Sequence, residues 1–292
     1  MERIERRKGP RTSRQGARNQ RLRWNDAATG LVVPVLAIAL WQWVAASGLV
    51  DRQVLPEPLD VWRKWVDYLL PLEPFAQYTD GGWLAWALSG ELPLDVVASL
   101  YRVVVGFAIG AGLALPLGLA MGASQRVHAW MNPLVQVLRP IPPIAYIPLA
   151  MLWFGLGDPP AVFLIAIGAF FPVLMNTVAG VRQVDGIYLR AARNLGAGKL
   201  TMFLRVILPA AVPYILSGVR IGIGTAFIVV IVAEMIAVNS GLGFRISEAR
   251  EYFWSDKVIA GMISIGVLGL LIDIGVNRLN NHLLRWHRGL EH

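Results

Sequence analysis

Apolar residues in this chain come in long blocks. Blocks near residues 27–50, 96–121, 132–154, 161–181, 210–238 and 258–279 approach or exceed the ~20 residues a helix needs to cross a ~30 Å hydrocarbon layer. The pattern predicts six transmembrane helices. Residues 51–95 differ: Val61, Trp62, Trp65, Val66 and Leu69 share one helical face, with Arg63, Lys64 and Asp67 opposite. That periodicity predicts an amphipathic helix at a membrane surface, and Trp83 and Trp86 suit the interfacial layer. Gly106-xxx-Gly110 and Gly118-xxx-Gly122 predict close helix approach in the second block. Gly218, Gly222 and Gly224 do the same in the fifth, within one protomer or between two. Prolines at 140, 142, 143 and 148 predict that the third block is kinked or broken, with neighbours satisfying the freed carbonyls.

Composition strengthens this picture. Of 292 residues, 55% are hydrophobic and 16% charged, and the mean hydropathy is +0.53. A soluble domain carries about a quarter charged residues. The expected organisation is a basic cytoplasmic arm (1–26) that is disordered, a first anchor (27–50), an extracytoplasmic amphipathic segment (51–95), a five-helix core (96–284) and a C-terminal tail (285–292). Cysteine is absent, which excludes a disulfide framework and a thiolate nucleophile. The four histidines show no metal-ligand spacing, and no metal site is expected. No paired carboxylates or nucleophile–base pair lies at depth, so no catalytic residues are assigned and an enzyme is not expected.

Charge then sets orientation. The net charge is +8, and residues 1–24 hold nine Lys/Arg against Glu2 and Glu5. Because a span follows directly, the arm reads as a positive-inside anchor facing the lipid bilayer, and no nucleic acid partner is expected. Segments 1–24, 125–130, 182–205 and 278–288 hold eighteen Lys/Arg; the alternate segments hold six. Both termini and residues 182–205 are therefore expected in the cytoplasm.

One stretch carries more chemistry than the rest. Residues 189–213 read LRAARNLGAGKLTMFLRVILPAAVP, a short charged segment between two apolar blocks. Arg190, Ala191, Ala192, Arg193, Gly196, Lys199 and Phe203, with Val206, Leu208 and Pro209 after them, have a spacing that resembles the cytoplasmic coupling loop of ABC-importer permeases. One departure is that Arg190 stands where that motif has Glu. Gly196-Ala-Gly-Lys-Leu200 is not a phosphate loop: Arg193 replaces its first Gly, Leu200 its Ser/Thr, and no strand precedes it.

The resemblance extends over about residues 90–285. Arg139-Pro-Ile-Pro-Pro-Ile-Ala-Tyr-Ile-Pro148, Trp153-Phe-Gly, Ala233-Glu-Met, Asn239-Ser-Gly-Leu-Gly-Phe and Glu248-Ala-Arg-Glu-Tyr-Phe look like the taurine, aliphatic-sulfonate, nitrate and bicarbonate permeases. It implies an all-α type I importer fold of six transmembrane helices, in the bacterial inner membrane, with a coupling helix at 187–205. It implies a homodimer, two ATP-binding-cassette ATPase subunits that hold ATP and Mg, and an extracytoplasmic solute-binding protein; no cofactor is expected in this chain. The implied cargo is a small organic anion, with taurine or an alkanesulfonate first and nitrate or bicarbonate next. An ATP-independent channel or secondary transporter is the alternative.

Candidate pathway residues are the polar groups inside the apolar blocks: Arg102, Arg139, Tyr146, Asn176, Arg220 and Glu234. Intramembrane charges are expensive and mark either function or a local partner. Guanidinium groups would assist an anion along its path. Each arginine, taken singly, is also explained by bonding to broken-helix carbonyls or by snorkelling.

Overall fold

The computed structural model describes residues 32–71, 82, 83, 86 and 88–284. The basic arm (1–26), residues 27–31 of the expected anchor, residues 72–81 and the tail (285–292) lie outside the described residues. The chain divides into two compact units, one ending at Trp62 and the other starting at Arg63.

In the first unit, helix α1 (Val32–Ala46) is apolar except for Gln42. At ~1.5 Å per residue its described part spans about 22 Å. The segment after it folds back: Trp41 Nε1 donates to the Pro56 carbonyl (3.0 Å), and Arg52 pairs with Glu57 (2.9 Å). Pro58, at a helix start where its missing N–H costs nothing, opens α2 (Pro58–Leu69).

The second unit is an all-helical bundle. It comprises α3 (Glu91–Ala123), α4 (Gln125–Leu138), a 3-10 turn (Pro143–Tyr146), α5 (Ile147–Phe154), α6 (Asp158–Arg182), α7 (Gly186–Asn194), α8 (Lys199–Ala237), α9 (Leu242–Glu251) and α10 (Ser255–Leu283). Among the described residues, α3, α6, α8 and α10 are long and apolar enough to cross a membrane. The pair α4 and 143–154, bent by 83°, makes a fifth candidate. The bend falls at the prolines: Pro140, Pro142 and Pro143 cannot donate, and the chain leaves the helix until Pro143 starts a new turn.

Helix α6 is the centre of the bundle and packs along its length against α3 and α8. Side by side, α3 and α6 run the same way, because α4 and α5 return the chain between them. Their approach depends on the four predicted glycines. A Cβ at Gly106 would meet Ile165, at Gly110 the Ala166 carbonyl, at Gly118 Thr177 and at Gly122 Val181. On α8, running the other way, Gly218 and Gly222 sit against Asn176 and Val173 of α6, while Gly224 faces open space. Two of the three fifth-block glycines thus pack within the protomer. One cluster, around Leu164, Ile165, Ala226 and Val230, joins α6 to α8, and another, around Ala114, Met121, Val135 and Leu174, joins α3, α4 and α6.

Helix bounds depart from the apolar blocks where polar groups are buried. α3 begins five residues before Val96 because Leu92 and Asp95 are inside the fold. The expected amphipathic helix docks on the bundle rather than presenting a free face. Tyr68 is buried beside Leu92, Leu242 and Leu268, and Trp65 Nε1 donates to Ser264 Oγ (2.9 Å).

The packing at Gly110 and Gly112 makes a contrasting pair. Gly110→Ala should cost about 1–3 kcal/mol, since a backbone carbonyl cannot step aside. Gly112→Ala, with nothing within 4 Å of the new methyl, should be neutral or raise stability slightly. Thermal unfolding of the purified variants in detergent decides; equal melting points would mean that the α3–α6 contact does not need Gly110.

Candidate functional site

Three places in the bundle concentrate polar groups. The first is the end that carries α7. Asp185 accepts from the Ile187 amide (2.8 Å) and caps the helix start. The other end stops by a two-bond cap: the Gly196 amide donates to the Arg193 carbonyl (2.9 Å) and the Ala197 amide to the Ala192 carbonyl (3.0 Å). Gly196 stands at φ +80, a conformation that a side chain resists. The expected single helix over 187–205 is therefore two elements: Arg190, Ala191, Ala192 and Arg193 lie on α7, Gly196 terminates it, and Lys199 and Phe203 belong to α8. No residue of α7 is buried, and Ile187, Tyr188, Leu195 and Leu200 are exposed, Leu195 to 88%. Within α8, Phe203–Ile207 form a π-helical turn. It sits where Pro209 cannot donate to the Arg205 carbonyl and its ring crowds that turn.

The second place is a buried charge network at the opposite end. Arg102 Nε donates to Asp158 Oδ1 (2.7 Å), Nη1 to Glu234 Oε1 (2.7 Å) and the Ser240 carbonyl (2.9 Å), and Nη2 to Ser240 Oγ (2.6 Å). Glu234, wholly buried, also accepts from Ser99 Oγ (2.9 Å) and the Gly243 amide (3.0 Å). Asp95 accepts from the Gly241 amide (2.9 Å), the Tyr68 hydroxyl (2.8 Å) and Arg245 Nε (3.0 Å). Gly241 is required twice over: its φ is +102, and a Cβ there would strike the Glu234 carboxylate. Burial, with the Asp95 carboxylate beside it, pushes the Tyr68 hydroxyl above the ordinary phenol range, so it stays a donor. Burial pulls Arg245 the other way, but bonds to Asp95 and the charges of Glu91 and Glu248 outweigh it and hold the guanidinium charged.

The third place is an open cavity of about 350 Å³ between the Pro-rich break, α6 and α8. Arg139, Asn176 and Thr225 line it with apolar Ile141, Phe171 and Ile221. Tyr146 lines a separate, apolar cavity of about 360 Å³ with Leu113, Phe163 and Phe170.

The six pathway candidates therefore fall into four settings. Arg102 and Glu234 are closed on each other; Arg139 and Asn176 share a cavity; Tyr146 faces the other. Arg220 pairs with Asp273 (3.0 Å), both about half exposed on the protomer surface. Sequence reasoning missed Asp95, Ser99, Asp158, Ser240 and Arg245. A signal was present, because Asp95, Ser99 and Arg102 repeat at helical spacing and so share one face of α3.

A helical bundle with several segments long and apolar enough to cross a membrane, a broken span and an exposed connecting helix has the architecture of a polytopic membrane protein. The comparisons agree. Residues 112–286 match the family described as the binding-protein-dependent transport system inner membrane component, and the chain belongs to it. It is 38% identical over 262 residues to SsuC of Bacillus subtilis, a protein named for aliphatic sulfonates transport, covering 90% of this chain and 88% of the relative. It is 35% identical over 274 residues to the taurine transport system permease protein TauC of Escherichia coli, covering 92% and 95%. With the bicarbonate transport system permease protein CmpB of Synechococcus elongatus it shares 36% over 280 residues, covering 94% and 97%. Among solved structures, it superposes on a chain of the inward-facing MetNI methionine ABC transporter with a TM-score of 0.57 at 19% identity, covering 64% of this chain and 94% of that one. A chain of an amino acid ABC transporter matches with a TM-score of 0.52 at 19% identity, covering 65% and 91%. The fold is thus the all-α permease fold of ABC transporters.

The charge network yields a direct expectation. Arg102→Met leaves Glu234 buried without its counter-ion and should destabilise by about 3–5 kcal/mol. The double variant Arg102→Met/Glu234→Gln, which removes both charges, should recover part of that. Melting points in detergent read both effects, and an unchanged value for the single variant would remove the network from any role in holding this end together.

Proposed function

We propose that this chain is the membrane permease of an ATP-driven importer for a small organic anion, with taurine or an alkanesulfonate first and nitrate or bicarbonate next. It works as a homodimer in the bacterial inner membrane, N-in and C-in, above two ATPase subunits that bind ATP and Mg. A solute-binding protein delivers cargo from the other side.

The observation that carries this reading is α7. A helix capped at both ends, with no buried residue and with Ile187, Tyr188 and Leu195 exposed, is a docking element without its partner in the single chain. Arg190, Arg193 and Lys199 add cations that fit an acidic rim on the ATPase cleft. Arg190 in place of the family's Glu strengthens the expectation of an acidic cleft.

The homodimer has separate support. Arg220 and Asp273 form an ion pair on spans α8 and α10 and are half exposed on the protomer. Against lipid such a pair is costly, so this face turns to a second copy or to water. Gly224, open to space on α8, is where a second helix can approach. The anion preference rests on the relatives' names and on Arg139, which faces a cavity. The pathway we propose runs past Arg139, Asn176 and Arg220, with Tyr146 beside it. Arg102 and Glu234 stand at its far end and open to it only if their mutual bonds break.

The reading is tested on the chain reconstituted in nanodiscs with its ATPase and binding protein. ATP hydrolysis is recorded with taurine, short alkanesulfonates, nitrate and no ligand. One loaded ligand should stimulate hydrolysis in the wild type. Gly196→Trp, at a site with open space around it and a left-handed backbone, should abolish stimulation or assembly while the isolated chain still folds. Failure of the wild-type chain to associate with any ATPase would sink the proposal in favour of an ATP-independent channel.

A further inference from the structure

The cavity at the Pro-rich break has an unusual lining for its depth. It lies against the middle of α6, from Ile167 to Asn176, and so at mid-height of the bundle. Arg139 enters it from the end of α4, just where the span bends by 83°. Its guanidinium makes no hydrogen bond or ion pair among the described residues, and no carboxylate lines the cavity. This is unlike Arg102, which has four bonds, and Arg220, which has Asp273. Arg139 is exposed where this open cavity meets the bundle surface, and an arginine at the middle of an apolar bundle that lacks a counter-ion among the described residues is matched to an anion supplied from outside.

The remaining lining narrows the class. Asn176 donates one amide hydrogen to the Pro172 carbonyl and keeps the other, while Thr225 donates to the Ile221 carbonyl and offers only its oxygen. Donors free for an anion are therefore grouped at Arg139 and Asn176. Ile141, Phe171 and Ile221 make the rest of the wall apolar. A volume of about 350 Å³ falls in the ~300–1,000 Å³ range of small-molecule sites, and an ion the size of nitrate would leave most of it empty.

We infer that this cavity is a mid-membrane subsite for an amphiphilic oxyanion: a sulfonate head on Arg139 and Asn176, and a short alkyl body against Ile221 and Phe171. The inference rests on the permease reading above and adds to it a site and a preference for organic over inorganic anions. A sulfonate matches the guanidinium fork with two of its three oxygens, as nitrate can, and the apolar wall then favours the anion that carries an alkyl body.

The test uses the assembled transporter in proteoliposomes, measuring anion taken up per ATP hydrolysed for methanesulfonate, butanesulfonate and nitrate. Arg139→Gln should lower the sulfonate ratio by about ten- to a hundredfold, the range for lost bonds to a charged group. Arg139→Lys, which keeps the charge and loses the fork, should fall between. Ile221→Trp, which fills the apolar end, should cut butanesulfonate more than methanesulfonate, and it carries the test if Arg139→Gln fails to assemble. Wild-type ratios in Arg139→Gln, equal losses of both sulfonates in Ile221→Trp, or wild-type uptake of nitrate alone would each overturn the subsite. A wild type that associates with no ATPase and takes up nothing overturns the permease reading itself.

Discussion

The bundle depends on how one guanidinium is satisfied away from bulk solvent. Arg102 is 3% exposed, and its four bonds reach the start of α6, the end of α8 and the turn before α9. An unpaired charge in such a place costs several kcal/mol, so these segments must converge. The requirement explains residues that otherwise look arbitrary. Gly241 exists because the Glu234 carboxylate fills the space where its Cβ would stand, Gly243 because a Cβ there would strike the Ile231 carbonyl and the Glu234 Cβ, and Asp158 opens α6 where it can meet Arg102 Nε. Asp95 extends the same logic to Arg245 and Tyr68, which joins α2 and α9 to α3.

Away from that end, cohesion has another source. Lipid tails are as apolar as the side chains, so burying leucine between helices gains little. In the α3–α6–α8 contact, glycines and alanines bring backbones close enough for dispersion and weak Cα–H bonds to count, with Leu164, Ile165, Leu174 and Val230 packed around them. One end is thus held by charges and the long middle by close packing around small residues. The α7 end has neither and leaves its apolar residues uncovered.

Four of the six expected spans, and the broken one, were legible because hydrocarbon tolerates so few alternatives: every backbone group must bond within its own helix, and the apolar blocks record that demand. The glycine pairs were legible for a related reason, since nothing else fits a close crossing. The three intramembrane arginines were not. On paper Arg102, Arg139 and Arg220 are the same residue in the same kind of block, yet one is buried among four acceptors, one shares its charge at the protomer surface and one faces a cavity. What separates them is pairing across more than 50 residues of chain, as Arg102 with Glu234 (132 apart) and Arg220 with Asp273 (53 apart) show. The prolines likewise announced a break but not that it would turn through 83° and put Arg139 at mid-height. Gly196 stood in the sequence as one position of a spaced motif; its physical role inside the chain is to stop a helix.

The π-helical turn at Phe203–Ile207 has a mechanical meaning. From Lys199 to Ala237 the chain is a continuous rod of 39 residues, about 58 Å at 1.5 Å per residue. The rod packs along α6 with close glycine contacts at Gly218 and Gly222 near its middle, so any tilt would take that contact as its fulcrum and slide along the rest of the seam. With arms of roughly 30 Å on each side, a tilt of about 10° moves each tip by about 5 Å in opposite directions. One tip is joined to α7; the other carries Glu234 and the turn that holds Arg102. The widened turn lies on the α7 side of the fulcrum, where the hydrogen-bond ladder is already interrupted. Flexure would therefore be absorbed below the fulcrum, and a push too weak to rotate the whole rod would be lost there before it reached the charges at the far end.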